Sequence, residues 1–410
     1  MMINKKHNKT DWKKQVAITC FLCHKRKEND MCKTDSFGIY VHIPFCVQKC
    51  RYCDFLSFAD KSRMKEYVEA VLREIRAWHG CGEVSTIYFG GGTPSVLPAI
   101  YIEEILNSIR ENFRLEEHPE ITIECNPGTA DSEKFSSYIN IGINRLNMGL
   151  QSAVDQELKM LGRIHSAGQF VKSYEAARKM GFTNISVDIM SALPGQTLES
   201  YRKTLELITA LHPEHISAYS LIIEEGTPFY RLYEEGKLIL PDEDCEREMY
   251  YETKHFLQRY GYERYEISNY ARPGYESRHN SSYWTGKNYL GIGLGASSLM
   301  QGMRFKNTDH METYLRRQYP GHINIPEIYE EVEILSPKAR MEEFMFLGLR
   351  MMKGISVAQF EETFGKKFEE VYGETCRKLV GQELLNREND RIRLTEKGID
   401  VSNLIFSEFL

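Results

Sequence analysis

From residue 36 onward, short β-rich runs alternate with longer helical patterns, and this rhythm leaves few folds open to the chain. The strand candidates are Phe37–Ile43, Ser85–Gly91, Glu120–Asn126, Ile143–Gln151, Asn184–Met190 and His215–Leu221. Between them lie amphipathic stretches at Ser62–His79, Ile100–Phe113, Ala167–Met180 and Leu198–Leu211. Their apolar residues recur three and four apart, as in Tyr67, Val71, Ile75 and Trp78. Six strands alternating with helices imply βαβ crossovers and a parallel sheet. Such a sheet curls into an incomplete (β/α)6 barrel, and barrels collect their reactive residues at the C-terminal strand ends. The unusual residues fall there: Cys46 after the first strand, Gly90–Thr93 after the second, Glu124 ending the third, Gln151 after the fourth and Asp188 late in the fifth.

After Leu221 the rhythm changes. Asp242–Tyr260 reads as a helix, Tyr262–Ile267 as strand-like, and Leu290–Ser298 is rich in glycine. From about Glu331 come helical patterns at Met341–Met352, Ser356–Phe364 and Phe368–Leu385, then a ribbon through Arg391–Leu394, a pattern that resembles a winged helix. The expected α/β organisation is a basic, unstructured tail over 1–35, a partial barrel over 36–270, a connector over 271–330 and a winged-helix-like domain over 331–410.

The hydrophobic share of 42% is ordinary for a globular chain, so the charge distribution is more informative. Residues 1–35 carry nine Lys or Arg against four Asp or Glu, so the net −6 of the whole chain hides a body at −11. A body that acidic argues against nucleic acid, and residues 331–410, at a net −3, argue against a DNA-binding wing. No apolar run is long enough to span a bilayer and no signal-peptide core is present, which leads to a cytoplasmic expectation. The basic tail favours at most a weak peripheral contact with an anionic membrane. The tail also holds Cys20-Phe-Leu-Cys23-His24, with Cys32 nearby, in the form of a c-type heme attachment site. Without export that reading is weak, and Met31 offers a second start.

The chemistry sits in Tyr40-Val-His-Ile-Pro-Phe-Cys46-Val-Gln-Lys-Cys50-Arg-Tyr-Cys53. Clustered cysteines in a cytosolic chain signal metal more often than disulfide. Thiolates with three and then two residues between them wrap a loop round a cubane and ligate three of its irons. The fourth iron stays open to the amino and carboxylate groups of a methionine moiety, and electron delivery through the cluster then cleaves the adjacent C–S bond. The competing reading is structural zinc, closed by a fourth ligand such as Cys125 or His42. The spacing and the downstream motifs favour the cluster.

With its downstream motifs, this segment resembles the oxygen-independent coproporphyrinogen III oxidases and their radical-SAM relatives. The matching pieces are Gly90-Gly-Gly-Thr-Pro-Ser95, Glu124-Cys-Asn-Pro-Gly128, Asn144-Arg-Leu-Asn-Met-Gly-Leu-Gln-Ser152, Leu161-Gly-Arg-Ile-His-Ser166 and Asp188-Ile-Met-Ser-Ala-Leu-Pro-Gly195. The resemblance implies a [4Fe-4S] cluster on Cys46, Cys50 and Cys53, with S-adenosylmethionine beside it. Gly91, Gly92 and Thr93 then offer backbone to the methionine ammonium, and Arg163 forks onto its carboxylate. Glu124, Gln151 and Asp188 take polar parts of the nucleoside, and Tyr40 and Tyr52 flank the cofactor. Singly, each residue has a plainer reading as a turn or an ion pair.

Two departures separate this chain from the oxidase branch. Phe55 stands where the oxidases carry a further cysteine, and the short tail does not resemble their N-terminal segment. In their place, His279-Asn280-Ser-Ser-Tyr283-Trp284 is similar to the signature of the family's heme-chaperone branch. That resemblance implies heme as a third cofactor, with His279 as axial ligand and Tyr283 and Trp284 stacked on the porphyrin. It also implies heme-accepting apoproteins and an electron donor as partners, and leaves a homodimer open. Chemistry alone favours a hydrogen-bonded core histidine among aromatics.

Overall fold

The computed structural model describes residues 36–319 and 324–410; the cysteines of the tail, Cys20, Cys23 and Cys32, lie outside them. Six parallel strands form in chain order: β1 (Phe37–Ile43), β2 (Glu83–Gly91), β3 (Arg114–Cys125), β4 (Arg145–Gln151), β5 (Ile185–Ser191) and β6 (His215–Ser220). The crossover helices Met64–Ala77, Ala99–Asn112, Ala167–Met180 and Leu198–Leu211 stand where the periodicity puts them. Two shorter helices, Ser132–Asn140 and Asp155–Leu161, escape that signal because they are too short to repeat it.

Side-chain alternation divides each strand between two environments. Ile39, Val41, Ile87, Phe89, Ile121, Ile123, Leu146, Met148, Val187 and Ile189 are buried in one continuous core beneath the helices. The alternate positions are polar: Tyr40, His42, Thr86, Tyr88, Thr122, Glu124, Arg145, Asn147, Ser186, Asp188 and His215. A packed apolar core cannot use such a face, and it lines the inside of the curled sheet.

Residues 271–330, expected as a connector, are instead part of this sheet. β7 (Glu263–Arg264) and β8 (Asn269–Ala271) close onto β6, while β9 (Tyr289–Ile292) runs parallel to β1 at the opposite edge. Beyond β9 lie β10 (Ser297–Met300), β11 (Met303–Lys306) and β12 (Glu330–Ile334), making twelve strands in the order β12-β11-β10-β9-β1-β2-β3-β4-β5-β6-β8-β7. The glycine-rich run is the turn between β9 and β10. A Cβ on Gly291 would stand 2.2 Å from the Ser297 carbonyl oxygen, so only glycine allows the two backbones to meet.

Buried Glu74, on the helix Met64–Ala77, ties this added edge to the barrel. It accepts from the Gly293 amide (2.9 Å), Asn307 Nδ2 (2.7 Å) and the hydroxyls of Tyr314 (2.8 Å) and Tyr329 (3.0 Å). Burial pushes its carboxyl up to about 7, against the pull of these donors. Glu74→Gln turns one acceptor oxygen into a donor facing donors. It is expected to cost about 3 kcal/mol of unfolding free energy, read by denaturant melts.

A second core, around Met345, Phe360, Phe368, Leu379 and Ile392, organises the C-terminal module. Its three strands, β13 (Ile355–Ser356), β14 (Leu385–Glu388) and β15 (Arg391–Leu394), lie in the order β13-β15-β14. The helix expected over Phe368–Leu385 is two, Phe368–Val371 and Gly373–Gly381, broken where the Tyr372 ring turns into the core. The module docks through Arg350, whose guanidinium lies 4.2 Å from the Trp284 ring centroid and 3.7 Å from Glu266.

Candidate functional site

The loop after β1 carries the three cysteines, with Cys46 buried and Cys50 and Cys53 half-buried. Its path is held by backbone bonds from Cys46 to Phe58 (2.9 Å), Arg51 to Leu161 (2.9 Å) and Phe229 to Arg51 (3.0 Å). Thr93 Oγ1 donates to Cys46 Sγ at 3.6 Å and Arg163 Nη1 to Cys50 Sγ at 3.7 Å. Burial pushes the Cys53 thiol up to about 11, so a thiolate there requires a cation to hold it. Neither candidate fourth zinc ligand is available. Cys125 lies in the outer core, and His42 is held by Tyr40 Oη (3.1 Å) and the Leu56 carbonyl (2.9 Å). Among the described residues, no three His, Cys, Asp or Glu side chains are grouped to hold a single ion.

The Gly90–Thr93 segment passes directly under this loop. The Gly92 amide donates to the Ile43 carbonyl (2.9 Å) and the Thr93 amide to the Phe45 carbonyl (2.8 Å). A Cβ on Gly92 would meet Phe45 O at 2.9 Å, and Gly91 sits at φ +109° against the His42 ring. Gln151 stands at φ 68°, beside a register shift between Gly149 and Gln151 that re-aims the end of β4.

Beside the cluster loop, Arg163 is fastened by the Gly149 carbonyl (2.7 Å) and Asn126 Oδ1 (3.0 Å), while its Nε has no partner. Asp188 accepts from Asn147 Nδ2 on Oδ2 (2.8 Å), and its Oδ1 has no partner. Glu124 accepts from Tyr88 Oη (2.8 Å). Burial pushes the Glu124 carboxyl up to about 7, with Asp188 adding to the rise, and burial raises Asp188 as well. Tyr52 packs near Leu161, Met190 and Phe229, and burial likewise raises its phenol.

His279 is placed apart from this group. It lies on the helix Arg278–Trp284, whose first amides, those of Arg278 and His279, donate to Glu120 (3.0 and 2.9 Å). The ring is 1% exposed, with Nδ1 2.8 Å from Thr86 Oγ1 and Nε2 2.9 Å from Tyr283 Oη. Burial, with Arg145 nearby, pushes its pKa down to about 3, so the ring is neutral. Both ring nitrogens are engaged: in this conformation His279 is a hydrogen-bonded core residue. Tyr283 packs edge-on against His279 and Tyr289, and Trp284 lies under Arg350.

Tyr88, which the sequence reading passed over, joins the two regions. Its ring stacks on His279 (5.1 Å) and on Tyr40 (6.2 Å), and its hydroxyl reaches Glu124. The available signal was alternation, since Thr86, Tyr88 and Gly90 share one face of β2.

Three thiols so spaced, at the open end of a six-strand partial barrel with an arginine against one of them, define the radical SAM class. Residues 40–208 match the Radical SAM superfamily and residues 335–401 the HemN C-terminal domain. The fold is shared with coproporphyrinogen III oxidase HemN from Escherichia coli, at TM-score 0.79 over 98% of this chain and 93% of that one, with 22% identity. Nearer in sequence is the heme chaperone HemW of Lactococcus lactis, 40% identical over 90% of this chain and 96% of that protein. HemW of Bacillus subtilis is 34% identical over 90% and 98%. The chain belongs to the HemW family.

Proteins of the radical SAM class carry a [4Fe-4S] cluster and S-adenosylmethionine, and the side chains here fit both. Three thiols leave one iron open, and the unpartnered atoms of Arg163 and Asp188 suit a ligand bearing a carboxylate and hydroxyls. Bound together, the two groups supply reductive cleavage of a C–S bond to a carbon radical.

Proposed function

We propose that this protein binds heme and delivers it to heme-requiring proteins, respiratory enzymes among them, while its cluster and S-adenosylmethionine control the heme-loaded state. One observation carries the reading: the helix bearing the His279–Trp284 motif stacks on Tyr88, which is bonded to Glu124 in the cofactor site. A change in how Glu124 is held therefore has a direct packed route to the heme motif. The names of the curated relatives support the same reading. So does Phe55, an exposed phenylalanine on the cluster loop where the oxidases have cysteine. We place the protein in the cytoplasm with an electron donor for the cluster; no helix among the described residues is long and apolar enough to cross a membrane.

In this scheme Cys46, Cys50 and Cys53 hold the cluster, and Arg163 receives the methionine carboxylate. The backbone of Gly91, Gly92 and Thr93 meets the ammonium, and Glu124, Gln151 and Asp188 bind the nucleoside between Tyr40 and Tyr52. His279 ligates heme iron through Nε2 once Tyr283 Oη releases it, with Thr86 fixing the tautomer from the other side.

The test is transfer of heme from the loaded protein to an apo-acceptor, expected to occur and to change with S-adenosylmethionine. Anaerobic incubation with S-adenosylmethionine, reductant and coproporphyrinogen III is expected to give no protoporphyrinogen, and its formation would return the protein to the oxidase branch.

S-adenosylmethionine affinity should also depend on pH. Glu124 accepts ribose hydroxyls best as a carboxylate, and its pKa in the free protein is about 7. Binding at pH 8 is then about tenfold tighter than at pH 6, with Asp188 acting in the same direction. The sign for stability is opposite. A carboxyl whose folded pKa exceeds its unfolded value destabilises the free fold as pH rises from its ordinary value of 4.5 through about 7. Calorimetric titration across that range checks the first effect and thermal melts the second.

A further inference from the structure

Arg145 is the largest fully buried side chain among the described residues, 2% exposed, and points to the inner face of β4 beneath the cofactor site. It stands opposite Thr122, which stands opposite Tyr88. Its Nε and Nη2 have no hydrogen-bond partner, nor does Thr122 Oγ1, and among the described residues no carboxylate forms an ion pair with it.

The groups around the guanidinium are already committed to one another. His215 is bonded to Ser186 (2.7 Å) and Tyr265 (2.9 Å), His279 to Thr86 and Tyr283, and Tyr88 to Glu124. Asp188 is an anion within electrostatic reach, and it is bonded to Asn147 and Ser217 rather than to Arg145. A fully buried guanidinium with no counter-charge is strongly unfavourable. The same arrangement is favourable when a ligand brings the charge.

We propose that the barrel lumen below the cluster binds a ligand bearing a carboxylate, and that Arg145 is the residue that receives it. A planar donor fork matches a carboxylate bidentately, and Thr122 Oγ1 adds a hydroxyl donor beside it. The carboxylate belongs either to a small free acid or, resting on the heme reading above, to a tetrapyrrole propionate.

The experiment uses the full-length, cluster-reconstituted protein as wild type, Arg145→Met and Arg145→Lys. Sodium formate, against sodium chloride at equal ionic strength, is expected to raise the wild-type melting temperature by about 2–4 °C. Arg145→Met should lose that response and melt no lower than wild type in chloride, since it removes an uncompensated charge. Arg145→Lys should keep part of the response. Formate acting no better than chloride on wild type overturns the proposal. So does an Arg145→Met protein that still responds, or one that melts lower, because the guanidinium is then satisfied within the fold.

Binding of heme and of heme dimethyl ester separates the two sources. A wild-type preference for the free acid of about tenfold, lost in Arg145→Met, assigns a propionate. Equal binding of both, with the formate response intact, assigns a small acid. Failure to bind either porphyrin removes the heme reading, and the formate response then decides this proposal alone.

Discussion

Cys50→Ala is expected to abolish both cluster assembly and S-adenosylmethionine binding, whereas Arg163→Leu is expected to leave the cluster intact and weaken only the second. Three thiolates are the minimum that holds a cubane with one open iron, and among the described residues the surroundings supply no substitute. Cys125 lies in the outer core, and both His42 nitrogens are taken. Loss of one ligand therefore removes the metal, and with it the iron to which a methionine moiety binds. Arg163 contributes differently. It touches Cys50 Sγ from outside the ligand set, and its unpartnered Nε remains for a carboxylate. Removing the partner of a buried, hydrogen-bonded charge costs about 3 kcal/mol, roughly a hundredfold in cofactor affinity. Anaerobic iron and sulfide analysis reads the cluster, and equilibrium dialysis reads the cofactor. An Arg163→Leu protein that binds S-adenosylmethionine as tightly as wild type would remove this arginine from the site.

His279→Ala is expected to shift the Soret band of the heme-loaded protein and to weaken heme by more than the roughly ten- to hundredfold carried by outer-sphere partners of a metal. Cluster absorbance should survive. Tyr283→Phe is expected to do the reverse. It leaves the ring of the motif in place but deletes the hydroxyl that holds Nε2, sparing heme a competition worth about 1 kcal/mol, roughly a fivefold gain. The pair separates a ligand from a merely structural histidine. If His279 only packs, both variants lower the melting temperature and neither moves the heme spectrum.

The barrel was legible because its signals are local and repeated. Apolar positions at period two in the strands and at three and four in the helices specify parallel crossovers, whatever else the chain does. Cys46, Cys50 and Cys53 were legible because spacing within one loop is itself geometry. The role of 271–330 was not. Nothing in Tyr289–Ile292 states that it pairs with β1, about 250 residues earlier, because strand pairing is a long-range choice made by the whole sheet. The end of β4 shows the same limit, since the left-handed conformation of Gln151 depends on its register with β5.

The amino-acid sequence alone determined the class of fold, and short-range patterns put the cysteine loop and the proposed cofactor residues at its strand ends. Only tertiary structure decided what the motif His279–Trp284 is doing at rest. Thr86 on β2 and Tyr283 on the same helix take the two ring nitrogens, and Tyr88 covers the face. Tertiary structure alone also left Arg145 buried and, among the described residues, without an ion-pair partner. Whether a polar side chain is satisfied depends on which strands become its neighbours, and that is settled only when the sheet closes.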